Sequence, residues 1–305
     1  MLIPTFLILS FFSFIIMEFA PGDPAITMLG ESAAWGRIEE LRKELGLDKP
    51  LLVRYFNWLK GIVVHGDLGR SVLLQESVTT VLARRIPRTA WLALLSFSFI
   101  VFLGIPAGIF SAIYAGTLVD RLIMAICTLL LATPIFLVGL FLMWLFAVHY
   151  KIFPVAGYVS PCTNFVEGIR SLILPSFAIS TMYIAYVARM TRSAVLEVLI
   201  QDFVRTAYSK GVPQVQVVLR HVLKASLVPI MTASSLTLAG LLGGTIVSET
   251  LFVIPGIGRL MFDSAVRKDY VVLQALLLFA GMVYYLMTFV LDIWSAIIDP
   301  RIRVE

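Results

Sequence analysis

Charged residues are scarce in this chain of 305 residues. Asp, Glu, Lys and Arg make up 14% of it, while 59% of the residues are hydrophobic and the mean hydropathy is +0.94. Soluble domains carry about 25% charged residues, so a soluble globular enzyme is excluded. A disordered chain is excluded as well, because a sequence this apolar cannot remain solvated. The composition predicts a membrane protein, whose unit is an apolar span of about 20 residues.

Signatures of catalysis are also missing. His65, His149 and His221 fall in different loops and do not form the H-E-x-x-H pair of a zinc protease. The glycine-containing segment 66–71 lacks the spacing and the Lys of a phosphate loop, and the sequence has no G-x-S-x-G elbow. We therefore expect no enzymatic activity, no metal site and no cofactor bound by the chain itself.

Cysteine and clustered positive charge are the remaining absences. Of the two cysteines, Cys127 lies in an apolar run and Cys162 in a polar loop, so a disulfide framework is not expected. The 24 Lys and Arg residues are scattered, whereas nucleic-acid binding needs a basic stripe. We expect membrane lipid around the chain and no nucleic-acid partner.

Long apolar runs are what the sequence has in abundance. About 20 helical residues cross the hydrocarbon core of a bilayer, since each residue rises 1.5 Å. Six runs of this kind predict six transmembrane helices, at residues 2–20, 89–114, 122–150, 172–188, 227–254 and 271–298. A signal peptide is the alternative for the first run, but no basic residues precede it and Pro21 would follow the cut.

The positive charges of the loops predict the orientation, because short cytoplasmic loops are enriched in Lys and Arg. One side would carry nine such residues, in loops 115–121 and 189–226 and at the C-terminus, against five on the other side. Both termini are therefore expected in the cytoplasm and segment 21–88 outside. In that outer segment, helical periodicity predicts short helices at residues 38–45 and 51–64.

Polar and helix-bending residues within the spans leave two interpretations open. Glu249 and Asp292 either face a water-filled pathway or lie near the ends of their spans, where they are hydrated or paired with Arg. Their positions near the span ends favour hydration or pairing with Arg. Pro134, Gly243 and Gly244 either bend helices that line a pathway or permit close helix packing. The candidate pathway or gating residues are thus Pro134, Gly243, Gly244 and Glu249.

The link between the fourth and fifth spans is unusually structured for a loop. Two amphipathic stretches, 194–209 and 214–227, flank the sequence Gly211-Val212-Pro213. A Gly followed by a Pro ends one helix and permits another to begin. Fixing topology alone would not need a structured link, so a helix pair on the cytoplasmic surface is expected.

This link resembles the coupling loop of permease subunits in binding-protein-dependent ABC importers, specifically those for dipeptides, oligopeptides and nickel. Segment 201–211, Gln-Asp-Phe-Val-Arg-Thr-Ala-Tyr-Ser-Lys-Gly, looks like that family's version of the E-A-A-x-x-x-G loop. Only Ala207 and Gly211 match the general motif literally, and Pro229 falls later than in that motif, as is usual for the peptide branch. The resemblance assigns contact with an ATPase subunit to Arg205, Thr206, Ala207, Gly211, Val212, Pro213, Gln214 and Val218.

Other segments extend the resemblance from the first span to the C-terminus. They are Ala-Pro-Gly-Asp-Pro at 20–24, the outer segments 45–50 and 66–71, and the C-terminal segments 249–259, 267–270 and 299–303. The resemblance implies an all-α integral membrane protein with the type I ABC importer permease fold. Its parts would be a first helix at 1–20, an outer segment at 21–88, a core at 78–292 and a coupling loop at 190–226.

The same resemblance implies partners and a substrate class. A second homologous permease, two ATP-binding subunits that hold ATP and magnesium, and an extracytoplasmic solute-binding protein would assemble in a bacterial or archaeal inner membrane. Short peptides are the expected substrate, with nickel or metal chelates, glutathione and oligosaccharides as alternatives.

Two other classes of protein fit the sequence less well. An ion-coupled secondary transporter would leave the 189–226 link unexplained, and a membrane scaffold would leave the Pro- and Gly-interrupted spans unexplained. A charge in place of Ala207 is expected to lie in the ATPase cleft and to weaken docking.

Overall fold

The computed structural model describes residues 2–19, 26, 34–44, 48–71 and 73–298, and within them the chain is helical. Three π-helical stretches, Ile100–Gly104, Met143–His149 and Val218–Val222, interrupt or extend α-helices. The predicted all-α membrane fold is confirmed. The α-helices are α1 (Leu2–Glu18), α2 (Trp35–Glu44), α3 (Leu51–His65), α4 (Val78–Phe99), α5 (Ile105–Ile113), α6 (Leu118–Ala132), α7 (Ile135–Leu142), α8 (Phe165–Leu199), α9 (Asp202–Ser209), α10 (Gln214–Val217), α11 (Leu223–Leu251), α12 (Ile257–Val266) and α13 (Tyr270–Ile298).

The count of six spans is not confirmed. By length and composition, the described residues contain four helices able to cross a membrane, or five if one bent pair is a single span. That pair corresponds to the predicted span 122–150, which turns by 104° between α6 and the helix that follows it. The turn follows from Pro134, because the residue before a proline is driven out of the helical region, and Thr133 is indeed extended at φ −91° and ψ 122°.

Helix α8 is much longer than the predicted span 172–188. It begins where the Asn164 side chain accepts a hydrogen bond from the Glu167 backbone N–H at 3.2 Å, which caps the helix. Its 35 residues extend over roughly 52 Å at 1.5 Å per residue. The helix ends at Leu199 and Gln201 is extended, so the amphipathic stretch predicted at 194–209 is divided at this point between two helices.

The chain divides into two compact units, of which the larger comprises residues 88–258 and 286–305. In its described part, α8 is the central helix and its residues Leu172, Ile179 and Val187 are fully buried. Small residues let neighbouring helices approach it: a β-carbon on Gly108 would collide with the Ala188 carbonyl oxygen. These contacts support the packing interpretation of glycines in the spans.

The other unit comprises residues 1–87 and 259–285. The predicted outer helices 38–45 and 51–64 correspond to α2 and α3. Helix α3 is attached to α1 through the Tyr55 hydroxyl, 2.8 Å from the Ser10 hydroxyl. The segment that follows α3 is anchored by Ser71, whose hydroxyl donates a 2.6 Å hydrogen bond to the buried Asp269 carboxylate.

Candidate functional site

The 189–226 link is built from a short helix, a sharp stop and a restart. Helix α9 ends at Ser209, and Gly211 has the left-handed φ of +78° that favours glycine. The Gly211 and Val212 N–H groups donate to the carbonyl oxygens of Tyr208 and Ala207 at 2.9 and 3.3 Å. Pro213 then precedes α10, as the Gly-Val-Pro sequence predicted.

One face of this link is fixed to the membrane helices of its own chain. Val204 and Ala207 of α9, together with Val217, are buried in an apolar cluster with Val195 and Val198 of α8. Ala112 of α5 and Ile230 of α11 complete the same cluster. The link therefore packs against three helices of its own chain and is not a free loop.

The residues beside this buried face are exposed, and two of them are aromatic. Phe203 and Tyr208 are 43% and 40% exposed, and the Arg205 side chain beside them is 73% exposed. The surface continues along the next helical turns through Val215 and Leu219, which are 68% and 61% exposed. We call Phe203, Arg205, Tyr208, Val215 and Leu219 the link surface. Exposed apolar side chains clustered with polar neighbours are typical of protein contact sites.

The residues predicted to couple to an ATPase are distributed over both faces. Arg205, Thr206, Gly211, Pro213 and Gln214 are exposed and Val212 is partly buried. Ala207 is 8% exposed and Val218 is 3% exposed, in both cases within the chain's own packing. A charge at Ala207 would thus enter the cluster under the link and not a cleft of a partner, contrary to the expectation from the sequence.

Phe203 and Tyr208 were missed as candidate contacts by the sequence analysis. The helical period of α9 gave no clear signal, because Phe203 lies four residues before Ala207 and Tyr208 four residues after Val204, at the edges of the buried face. The buried face is decided by neighbouring helices that are distant in the sequence. The sequence alone therefore did not show which apolar residues point outward.

An ion pair close to the link was also missed. The Arg192 guanidinium donates two 2.8 Å hydrogen bonds to the two carboxylate oxygens of Asp120, which is 5% exposed. The Ser111 hydroxyl and the Gly116 N–H donate to the same carboxylate. This pair ties the turn between α5 and α6 to α8, ten residues before α9. Bidentate geometry with every oxygen satisfied makes a rigid connection.

Glu249, a predicted pathway residue, is completely buried. The Thr89 hydroxyl donates to its carboxylate at 2.6 Å and accepts from the Ile257 N–H at 2.8 Å. A β-carbon on Gly256 would collide with the same carboxylate. Glu249 therefore fixes the Pro-Gly segment after α11 against the middle of helix α4, and it is enclosed by protein in this conformation.

The other candidate pathway residues lie in different surroundings. Gly244 is buried, with Ile179 of α8 at 3.0 Å from the position of a β-carbon. Gly243 is exposed and faces open space, and Pro134 is exposed at the 104° turn. Two of the resembling segments, 20–24 and 299–303, lie outside the described residues, as do residues 45–47 of the segment 45–50 and the Asp292 side chain. Within the described part, no three His, Cys, Asp or Glu side chains gather into a potential metal site.

The fold is that of a type I ABC importer permease. A permease chain of the methionine ABC transporter MetNI, solved in inward-facing conformations, matches with a TM-score of 0.60. The match covers 72% of this chain and 96% of that chain at 18% sequence identity. At this identity the likeness establishes the fold.

The family is established by sequence. Residues 104–304 match the family described as "Binding-protein-dependent transport system inner membrane component", and residues 2–93 match the model for its N-terminal part. The chain belongs to this family of membrane transport subunits.

Its relatives include a putative peptide transport system permease protein of Brucella abortus, 39% identical over 99% of this chain and 96% of the relative. A probable peptide ABC transporter permease protein of Sinorhizobium fredii is 36% identical over 96% of this chain and 93% of the relative. The dipeptide transport system permease protein DppB of Escherichia coli K12 is 33% identical, over 99% and 96%.

Proposed function

We propose that this chain is a permease subunit that imports short peptides in an ATP-driven, binding-protein-dependent transporter. Relatives named as peptide and dipeptide permeases match it over nearly their whole length. The observation in the molecule that carries the proposal is the link surface, a set of exposed aromatic, basic and apolar side chains beside a face that packs against the membrane helices. This is the geometry that a docking partner requires in order to move the membrane helices.

The partners would be a second permease, two ATP-binding subunits and an extracytoplasmic solute-binding protein. ATP and magnesium would be held by the ATP-binding subunits, which hydrolyse the nucleotide, while the permease makes and breaks no covalent bond. Phe203 and Tyr208, which are exposed, would enter a recess of an ATP-binding subunit. Because Val204 and Ala207 pack on α8, and the same cluster contains residues of α5 and α11, a displacement of α9 reaches three membrane helices at once.

Each ligand would act through its preference for one conformation. A ligand shifts an equilibrium only by its difference in affinity for the two states. ATP would favour one arrangement of the links and loaded binding protein would favour the same arrangement from the other side of the membrane. With the link and both termini in the cytoplasm, the ATP-binding subunits and the solute-binding protein would act on the same membrane helices from opposite sides of the membrane.

The proposal is tested by reconstitution. The tagged chain is solubilised from its native membrane, its co-purifying proteins are identified, and the complex is placed in proteoliposomes with the solute-binding protein and labelled alanyl peptides. We expect a second permease and an ATP-binding protein in the complex, and peptide uptake that requires ATP and binding protein. Uptake driven by an ion gradient without ATP would contradict the proposal, as would import of nickel or glutathione but not of peptides.

A further inference from the structure

The Tyr183 hydroxyl occupies an unusual place in the fold. Tyr183 is the nineteenth of the 35 residues of α8, which puts it near the middle of a helix long and apolar enough to span a membrane. This helix is the most enclosed of the four long ones, with 72% of its most apolar window buried. Tyr183 and Tyr186 nevertheless remain partly accessible, and exposed Met190 follows on the same face.

Several other hydroxyl groups of this helix are satisfied by its backbone, while among the described residues the buried Thr191 hydroxyl has no partner. The Ser180 and Thr181 hydroxyls donate to carbonyl oxygens three residues earlier, each at 2.8 Å. A tyrosine side chain is too long to fold back in this way. Within the residues that the structure describes, the Tyr183 hydroxyl has no hydrogen-bond partner. A polar group at membrane depth without a partner is costly and indicates a functional position.

The space around this hydroxyl is provided by helix α11. A β-carbon on Gly240 would lie 2.7 Å from the Tyr183 hydroxyl oxygen, so the phenol rests directly against the α11 backbone. One turn further, Gly243 faces open space. Any larger residue at position 240 would displace the hydroxyl.

We propose that the Tyr183 hydroxyl is a contact for the backbone amide of the peptide in transit, an inference that rests on the proposed function. A peptide that leaves water must find partners for its N–H and C=O groups. A phenol hydroxyl both donates and accepts, so it serves either group. Because the amide is common to all peptides, this contact selects the peptide class without selecting a side chain. Lipid and the second permease are the competing occupants of this face.

Tyr183→Phe tests the contact because it removes only the hydroxyl, and Tyr150→Phe, on an exposed tyrosine outside the helices, is the matched control. The uptake of tritiated dialanine and trialanine by the reconstituted complex is measured, together with its basal ATPase rate. We expect the KM of Tyr183→Phe for both peptides to rise about 3- to 10-fold, the loss for one hydrogen bond. The ATPase rate is expected to remain unchanged, and so is the KM of Tyr150→Phe.

A photo-crosslinking amino acid at position 183 identifies the occupant directly. Attachment of the labelled peptide during turnover is expected, whereas attachment only to the second permease or to lipid overturns the inference. An unchanged KM in Tyr183→Phe also overturns it. These failures are distinct from failure of the proposed function, in which the wild-type complex itself imports no peptide.

Discussion

Glu249 and Thr89 are separated by 160 residues in the chain, and yet their side chains meet in a 2.6 Å hydrogen bond. Glu249 is fully buried and Thr89 is 6% exposed. Thr89 also accepts a hydrogen bond from the Ile257 N–H, and Arg88 beside it donates to the Pro255 carbonyl oxygen at 2.9 Å. Two adjacent residues of α4 thus hold the Pro-Gly segment that follows α11.

Replacement of Thr89 by Val is expected to destabilise the protein. The change leaves the Glu249 carboxylate without this donor and the Ile257 N–H without its acceptor, and an unsatisfied buried group costs about 1–3 kcal/mol. Thr89→Ser keeps the hydroxyl and serves as the control. Thermal unfolding in detergent is followed by the labelling of buried Cys127 in a Cys162→Ser background. Equal melting temperatures for the Val and Ser variants would show that the hydrogen bond does not stabilise this fold.

The Asp120–Arg192 pair is expected to be a strong local contact. The Asp120 side chain is buried but that of Arg192 is 29% exposed. Loss of these charge-assisted hydrogen bonds should cost about 1.5–3 kcal/mol, so Asp120→Asn and Arg192→Gln should each reduce stability and membrane abundance. The double variant should cost less than the sum of the single variants, because the two residues interact directly. Arg37→Gln, which breaks an exposed pair with Glu40, is the control and should cost less than about 1 kcal/mol. Additive losses for Asp120 and Arg192 would contradict the coupling.

Gly211 is expected to be replaceable by Asn but not by Val. A β-carbon there meets nothing within 4 Å, so the cost arises from the left-handed backbone and not from crowding. Asn tolerates this conformation better than a β-branched residue does. We expect Gly211→Val to insert normally and lose ATP-driven transport, while Gly211→Asn retains most of it. Full transport by Gly211→Val would show that the angle of the link is unimportant.

The orientation can be measured with the thiol of Cys162, which is exposed. The excess of positive residues on the link side predicts that Cys162 lies outside the cell. A membrane-impermeant thiol reagent applied to intact cells should label Cys162. It should not label Ser209→Cys, at an exposed position in the link, until the membrane is opened. Labelling of Ser209→Cys alone would reverse the proposed topology.

Features encoded locally could be predicted from the sequence. The apolar runs predicted the membrane helices, and the Gly-Val-Pro sequence at 211–213 predicted the break in the link. The turn at Pro134 was only partly predictable: a proline marks a bend, but the angle of 104° depends on the helices that pack on either side. The division at Ile200 and Gln201 carried no Gly or Pro signal and was missed.

Features that depend on distant partners could not be predicted. In the sequence Asp120 lies beside Arg121 at the beginning of an apolar run, whereas its partner in the fold is Arg192 of α8, 72 residues later in the chain. Ala207 was expected to face a partner because one amphipathic helix does not reveal which side its own chain covers. Glu249 was weighed as a pathway residue because nothing in the sequence near it indicates Thr89.

The central claim is that the link surface binds an ATP-binding subunit, and co-purification tests it most directly. The double variant Phe203→Ala with Tyr208→Ala removes two exposed rings and leaves the buried residues Val204 and Ala207 intact. Phe165→Ala is the matched control, because it removes a ring that is 64% exposed at the opposite end of α8. With equal membrane abundance, we predict that the ATP-binding subunit is lost from the double variant and retained by the control. Full retention by the double variant would contradict the account.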